Sequence, residues 1–173
     1  FRWEAYRANE QIIGAAGETA VIFGSVTPNP SAFGRKCFNS ALMAHRGKLI
    51  AEIHKTLLPT YDVFDDLRYF EPNEEFKCVD FRGKKLGITI CEDIWYNEND
   101  IQYHTYKLNP AKKLAEAGAD ALINISASPF TKTKPYSRQR MLQNHARLLK
   151  KPIFYANQVG ANTELVFDGD SMV

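Results

Sequence analysis

Two Arg-Gly pairs, Arg46-Gly47 and Arg82-Gly83, each stand between segments of alternating polarity. A tight two-residue turn in that setting leaves the flanking chain little alternative to an antiparallel hairpin. The first pair predicts strands over residues 38–45 and 48–55, the second over 77–81 and 84–91. The last of these contains Leu86-Gly87-Ile88-Thr89-Ile90, apolar enough for a central strand, and it delivers Cys91 at its C-terminal end.

Other periodicities fill in the rest. Apolar positions at Trp3, Tyr6, Ile12, Ile13 and Ala16 predict a helix ending at Gly17, and the run from Ala20 to Val26 predicts a strand buried on both faces. Beyond the second hairpin, Pro110 near the start and Gly118 at the end bracket a short helix over 109–117. A strand over 120–126, a helix over 136–150 and strands over 152–157 and 165–167 follow. Hairpins combined with crossovers predict an α/β class, with a mixed sheet covered on one face by helices. No repeat or flexible linker divides the 173 residues, so one domain is expected. Both ends read as cut, with a helix in progress at 1–6 and a strand at 171–173.

Composition excludes several classes. Lys and Arg total 22 against 20 for Asp and Glu, and a net charge of +2 provides no field for nucleic acid or an anionic membrane. No apolar run reaches the about eighteen residues of a membrane span, and no signal peptide opens the chain, so a cytoplasmic location is expected. Cys37, Cys78 and Cys91 are too few and scattered for a disulfide framework, and no CxxC or nearby His suggests a metal site.

Chemistry concentrates near Cys91. A thiol at the end of a buried strand, followed by Glu92-Asp93-Ile94-Trp95, stands where a backbone turn presents it outward, as a nucleophile requires. A cysteine taken alone more often packs as a small core residue, and Cys37 and Cys78 keep that reading. Lys55 ends the second strand of the first hairpin among apolar neighbours; near a thiol its ammonium would stabilise a thiolate and then an oxyanion. Adjacent strand residues point to opposite faces, so His54 and Lys55 do not both face one pocket, and alternation does not choose between them. His45, His104 and His145 have no evident carboxylate partner in the sequence.

Four blocks, in order, carry a family resemblance. The segment Leu86 to Trp95 resembles the nucleophile segment of the nitrilase superfamily of carbon-nitrogen hydrolases. His54-Lys55-Thr56-Leu57-Leu58-Pro59-Thr60-Tyr61, running on to Phe70, is similar to the lysine segment of one branch, the glutaminase domain of glutamine-dependent NAD+ synthetases. Asn124 to Phe130 and Asn157 to Gly169 resemble the same branch.

The resemblance implies a nitrilase-like αββα sandwich and a Glu-Lys-Cys triad in which Cys91 is the nucleophile and Lys55 the lysine, against His54. It implies that the backbone N-H of Glu92 completes the oxyanion hole. Asp66 stands where the branch has an orienting glutamate, on an arm one carbon shorter, and Tyr61, Ser128 and Lys134 match positions that hold glutamine. Read without it, Tyr61 and Ser128 are turn-side residues, Lys134 a loop lysine, and Arg138 and Arg140 a solvated helix face. The triad glutamate belongs to an apolar Pro-Glu segment that neither Glu4 nor Glu18 occupies, so it is expected upstream of Phe1.

The implied function is hydrolysis of glutamine through a cysteine thioester, supplying ammonia for ATP-dependent amidation of nicotinic acid adenine dinucleotide to NAD+. Residues 1–173 are then a glutamine amidotransferase domain lacking its N-terminal strand and its C-terminal end. The partner is a synthetase domain of the same polypeptide, which lies outside the sequence, in a homo-oligomer. Hydrolysis needs no cofactor; ATP and Mg belong to the synthetase. The alternatives are a stand-alone amidase or carbamoylase acting on another small amide, and an inactive interaction domain.

Overall fold

The computed structural model describes residues 2–96 and 106–173. The chain divides into two compact units, Phe1–Glu74 and Glu75–Val173.

In the first unit, helix α1 (Arg2–Ala15) precedes strands β1 (Val21–Pro28), β2 (Cys37–His45) and β3 (Lys48–His54), which form an antiparallel sheet in that order. Arg46 (φ 50°) and Gly47 (φ 71°) both adopt the left-handed conformation that the predicted tight turn requires. Their N-H groups bond back to the carbonyls of Gly17 and Ala16, fastening the turn to the end of α1. Burial concentrates in β2, where Ser40, Ala41, Leu42, Met43 and Ala44 are each 2% exposed or less. The expectation that β1 is buried on both faces is corrected. It borders the sheet, and of its eight residues Thr27 is buried while the others are half-buried or exposed, because an edge strand lacks a neighbour on one side. A short helix, α2 (Asp66–Tyr69), follows the loop beyond β3.

In the second unit, β4 (Val79–Phe81) and β5 (Lys84–Ile90) form the second hairpin around Arg82 (φ 50°) and Gly83 (φ 74°). Strand β5 then pairs in parallel with β6 (Ala121–Ser126), and β6 with β7 (Ile153–Asn157). Helices α3 (Pro110–Glu116) and α4 (Lys134–Leu149) precede β6 and β7, giving the mixed sheet order β4-β5-β6-β7. The Asn109 side chain caps α3 by accepting from Lys112 N-H at 3.0 Å.

Leu114, Met141 and Leu142 from the helices pack with Leu122, Ile153 and Tyr155 from the sheet. Gly87 makes this packing possible, since a Cβ there would lie 2.7 Å from Leu122 and 3.0 Å from Leu114. A hairpin of β8 (Val159–Asn162) and β9 (Leu165–Asp168) completes the unit, β8 being a strand not foreseen from its Gly-Ala-Asn composition. The strand expected at 171–173 is a single bridge between Met172 and Tyr155.

Candidate active site

The parallel strands β5, β6 and β7 end at Ile90, Ser126 and Asn157, and the residues of chemical interest follow from those ends. Cys91 follows β5 with φ 45°, a left-handed conformation that costs a residue with a Cβ about 1–3 kcal/mol and that local bonds must hold. Such bonds are present on both sides of it. The Asp93 carboxylate, 2% exposed, accepts the Ile90 N-H at 3.0 Å across the 3-10 turn Cys91–Ile94. From β6, Asn124 donates to the Cys91 carbonyl at 3.4 Å and to Thr89 Oγ1 at 2.9 Å, with its own oxygen held by Ser126 Oγ at 2.7 Å. The chain is thus pinned into a sharp bend that presents a thiol beyond the strand, the geometry in which strand-to-helix turns carry nucleophiles.

Around the thiol, the Glu92 side chain is 8% exposed and accepts from the Tyr106 hydroxyl at 3.3 Å. Lys134, expected in a loop, is the first residue of α4, half-buried, with Nζ 3.9 Å from the centroid of the Trp95 ring. Burial lowers its pKa below that of an ordinary lysine, partly opposed by the nearby Glu92 and Cys91 and reinforced by Arg138. Ser128 is 2% exposed, and its N-H donates to Asn157 Oδ1 at 2.9 Å. The Tyr155 hydroxyl is buried beside Ser126 and Ser128 without a well-formed hydrogen bond to either, and burial pushes its pKa up.

The first unit carries the other expected residues. Lys55 directly follows β3 and is 4% exposed; its Nζ meets Asp66 Oδ2 at 2.6 Å. The shorter aspartate arm therefore does reach the lysine, because the loop brings Asp66 in at the start of α2, where its own N-H donates to the Pro59 carbonyl. Backbone bonds from Lys55 N-H to Asn39 and from Asn73 N-H to the Lys55 carbonyl fix the lysine's main chain.

His54 is placed differently. Its ring stacks on Phe38 with centroids 3.9 Å apart, Nδ1 lies 2.9 Å from Ser40 Oγ and Nε2 lies 3.9 Å from Glu52 Oε1, so its neighbours include an aromatic face, a hydroxyl and a carboxylate. Tyr61 is 45% exposed and set edge-on to Phe64. His45 Nε2 lies 3.1 Å from the Glu18 carbonyl, His145 is buried in α4, and His104 lies outside the described residues.

The bland reading of Arg138 as a solvated residue is corrected. It is fully buried and donates to Asp168 and Asp170, whereas Arg140 is exposed. Sequence reasoning gave no role to Asp93, Asn124, Asn157 or Asp168. All four lie within the resembling blocks, but which carboxylate or amide turns inward depends on pleat and register that composition does not encode. Among the described residues no cluster of three or more His, Cys, Asp or Glu side chains is arranged to hold a metal ion. Nor is any helix there long and apolar enough to cross a membrane.

Residues 13–173 match the carbon-nitrogen hydrolase family. The chain belongs to that family. Among curated relatives, it is 39% identical over 155 residues to the glutamine-dependent NAD(+) synthetase of Synechocystis, covering 88% of this chain and 28% of the relative. It is also 39% identical over 137 residues to that of Thermotoga maritima, covering 79% of this chain and 22% of the relative. The chain therefore spans less than a third of the curated relatives it matches.

Among solved structures, the glutamine-dependent NAD+ synthetase of Acinetobacter baumannii superimposes with a TM-score of 0.83 at 29% identity, over 98% of this chain and 30% of that one. An amidase of the nitrilase superfamily from Nesterenkonia superimposes with a TM-score of 0.75 at 20% identity, over 98% of this chain and 59% of its own. The α/β, nitrilase-like fold class with a mixed sheet is thereby borne out.

Proposed function

We propose that this carbon-nitrogen hydrolase is the glutamine-hydrolysing part of a glutamine-dependent NAD+ synthetase. The observation that carries the reading is Cys91, held at φ 45° at the end of a central parallel strand in a chain that matches the hydrolase family over residues 13–173. The relatives' names and the Lys55–Asp66 pair support it.

In this mechanism the Cys91 sulfur attacks the side-chain amide carbon of glutamine, forming a C–S bond. Lys55 and the Glu92 backbone N-H stabilise the oxygen that takes up the electron pair. The tetrahedral adduct collapses as the C–N bond breaks, and the proton that left the thiol goes out on ammonia. Water then attacks the thioester, releasing glutamate and returning a proton to sulfur. Asp66 orients Lys55.

Ser128 and Tyr61 line the substrate, and Lys134 offers its α-carboxylate a cation. A glutamate on an early strand passes the protons in the family, and no Pro-Glu segment of that kind lies in this sequence. The same reading includes a synthetase domain on the same polypeptide using ATP and Mg, a homo-oligomer and a cytoplasmic setting. Hydrolysis itself uses no cofactor.

A glutamine-analogue diazo-ketone, followed by peptide mass spectrometry, tests the proposal. Saturable labelling of Cys91, blocked by glutamine and lost in C91S together with roughly a thousandfold or more of glutamate production, is expected. Labelling confined to Cys37 or Cys78 would overturn it.

A further inference from the structure

Arg138 is a buried cation that the proposed mechanism does not use. It is wholly inaccessible, and its fork grips Asp168 through both terminal nitrogens, at 3.1 and 3.0 Å, with a further bond to Asp170 at 3.2 Å. Its guanidinium lies 5.7 Å from the centroid of the Tyr155 ring, whose hydroxyl is the buried group beside Ser126 and Ser128. Taking a guanidinium out of water is costly, and a planar bidentate contact is the geometry that offsets the cost while fixing orientation.

What this fork holds leads to the Ser128 loop. Asp168 Oδ1 also receives Asn157 Nδ2 at 3.4 Å, and the same amide nitrogen donates to the Gly169 carbonyl at 2.7 Å. The opposite end of that amide, Asn157 Oδ1, accepts the N-H of Ser128. Two residues on, Phe130 N-H donates to the Val166 carbonyl of β9, so the Ser128 loop rests at two points on the hairpin end that Arg138 secures. Arg138 also lies one helical turn after Lys134, so one anchor fixes both the turn of α4 that carries Lys134 and the loop that carries Ser128.

We infer that Arg138 is a positioning residue that sets the Ser128 loop, through Asp168 and Asn157, and the first turn of α4 into the geometry that grips substrate. The inference rests on the proposed glutaminase reading for what is gripped, and on the hydrogen-bond chain alone for how the loop is held.

The test uses the protein as encoded by its gene, in three forms. R138M/D168N removes both charges so that neither is left buried alone; R138K keeps the charge and loses the fork; N157A keeps the ion pair and cuts the last link. In all three, amide exchange across residues 127–130 is expected to quicken about tenfold or more. The KM for glutamine is expected to rise about tenfold with kcat within about threefold, while alkylation of Cys91 by iodoacetamide stays at the wild-type rate. R138K should fall between the wild type and the double variant.

A role confined to stability would lower the folded fraction without moving the KM of what remains, and that result overturns the inference. So does unchanged exchange at 127–130 in R138K or N157A, which also serve should the double variant fail to fold. If the wild type does not hydrolyse glutamine, the glutaminase reading falls, and the exchange measurements still decide whether Arg138 holds the loop.

Discussion

Lys55 and Arg138 are both cations carried into an interior, 4% and 0% exposed, and the protein treats them differently. Lys55 meets Asp66 at a single point, which engages one of an ammonium's three donors. Arg138 is gripped by two carboxylates in a fixed fork. A compact ammonium on a flexible stem is suited to meeting a charge that forms during a reaction, whereas a planar, multiply bonded guanidinium is suited to fixing geometry. On the proposed reading, the first unit holds a cation for chemistry and the second a cation for architecture.

Four measurements can break or sharpen this contrast. The largest effect is expected from K55M, which should lower glutamine turnover roughly a thousandfold while costing less stability than loss of an Arg138 partner, because the Asp66 carboxylate it leaves behind keeps partial contact with water. A drop in Tm matching the loss of activity would erase the distinction between the two cations.

Next, D168N leaves Arg138 buried opposite one carboxylate and should cost about 3 kcal/mol of unfolding free energy in denaturant titration. D66N should in addition lower kcat, because it takes from Lys55 the carboxylate that orients it, whereas D168N should leave kcat within about threefold. A loss of kcat in D168N as large as that in D66N would contradict the assignment.

A third, smaller effect concerns Lys134. Burial depresses its pKa, so its charge is lost at lower pH than that of an ordinary lysine. As pH rises through that lowered value, the grip on a substrate carboxylate weakens and the KM for glutamine climbs, about tenfold per pH unit once the cation is the minor form. Stability moves the other way. Between the lowered value and 10.5 the unfolded chain binds the proton that the folded chain has released, so folding gains as pH rises. K134R should flatten the alkaline rise in KM, since a guanidinium does not titrate there; an unchanged profile would remove Lys134 from the substrate site.

The smallest effect is expected at His54, whose pKa is lowered from 6.5 by burial, with Glu52 opposing. The unfolded chain takes up this proton at higher pH than the folded one, so His54 weakens the fold as pH falls from 6.5 toward the lowered value. In H54Q the acid limb of a Tm-against-pH curve should flatten, by on the order of 1–3 °C. Loss of turnover comparable to K55M would restore His54 as the chemical partner that alternation alone left open.

Much of this molecule is legible from local rules. Both Arg-Gly turns occur where the flanking alternation places them, because two residues with φ above zero are a local requirement that the sequence states directly. Helices α1, α3 and α4 begin and end within about two residues of the positions read from periodicity and caps, the usual scatter of helix boundaries. The position of Cys91 at the end of an apolar run is equally local.

Illegible features share a cause. The apolar composition of β1 suggests burial, but an edge position decides its exposure. Arg138 lies four residues from Lys134 and two from Arg140, and nothing in that spacing says which cation turns inward. Its partners lie thirty and thirty-two positions away, one at the end of β9 and one just after it. Asp66 shows the same limit. Its arm is one carbon shorter than a glutamate's, and whether it reaches Lys55 depends on where the loop sets its backbone.

The sequence by itself determined most of the elements, the two hairpin turns and the thiol at a strand end, because each follows from neighbours along the chain. Tertiary structure decided which charges are buried and what each one holds. Desolvation and hydrogen-bond geometry are set by residues that only folding brings together.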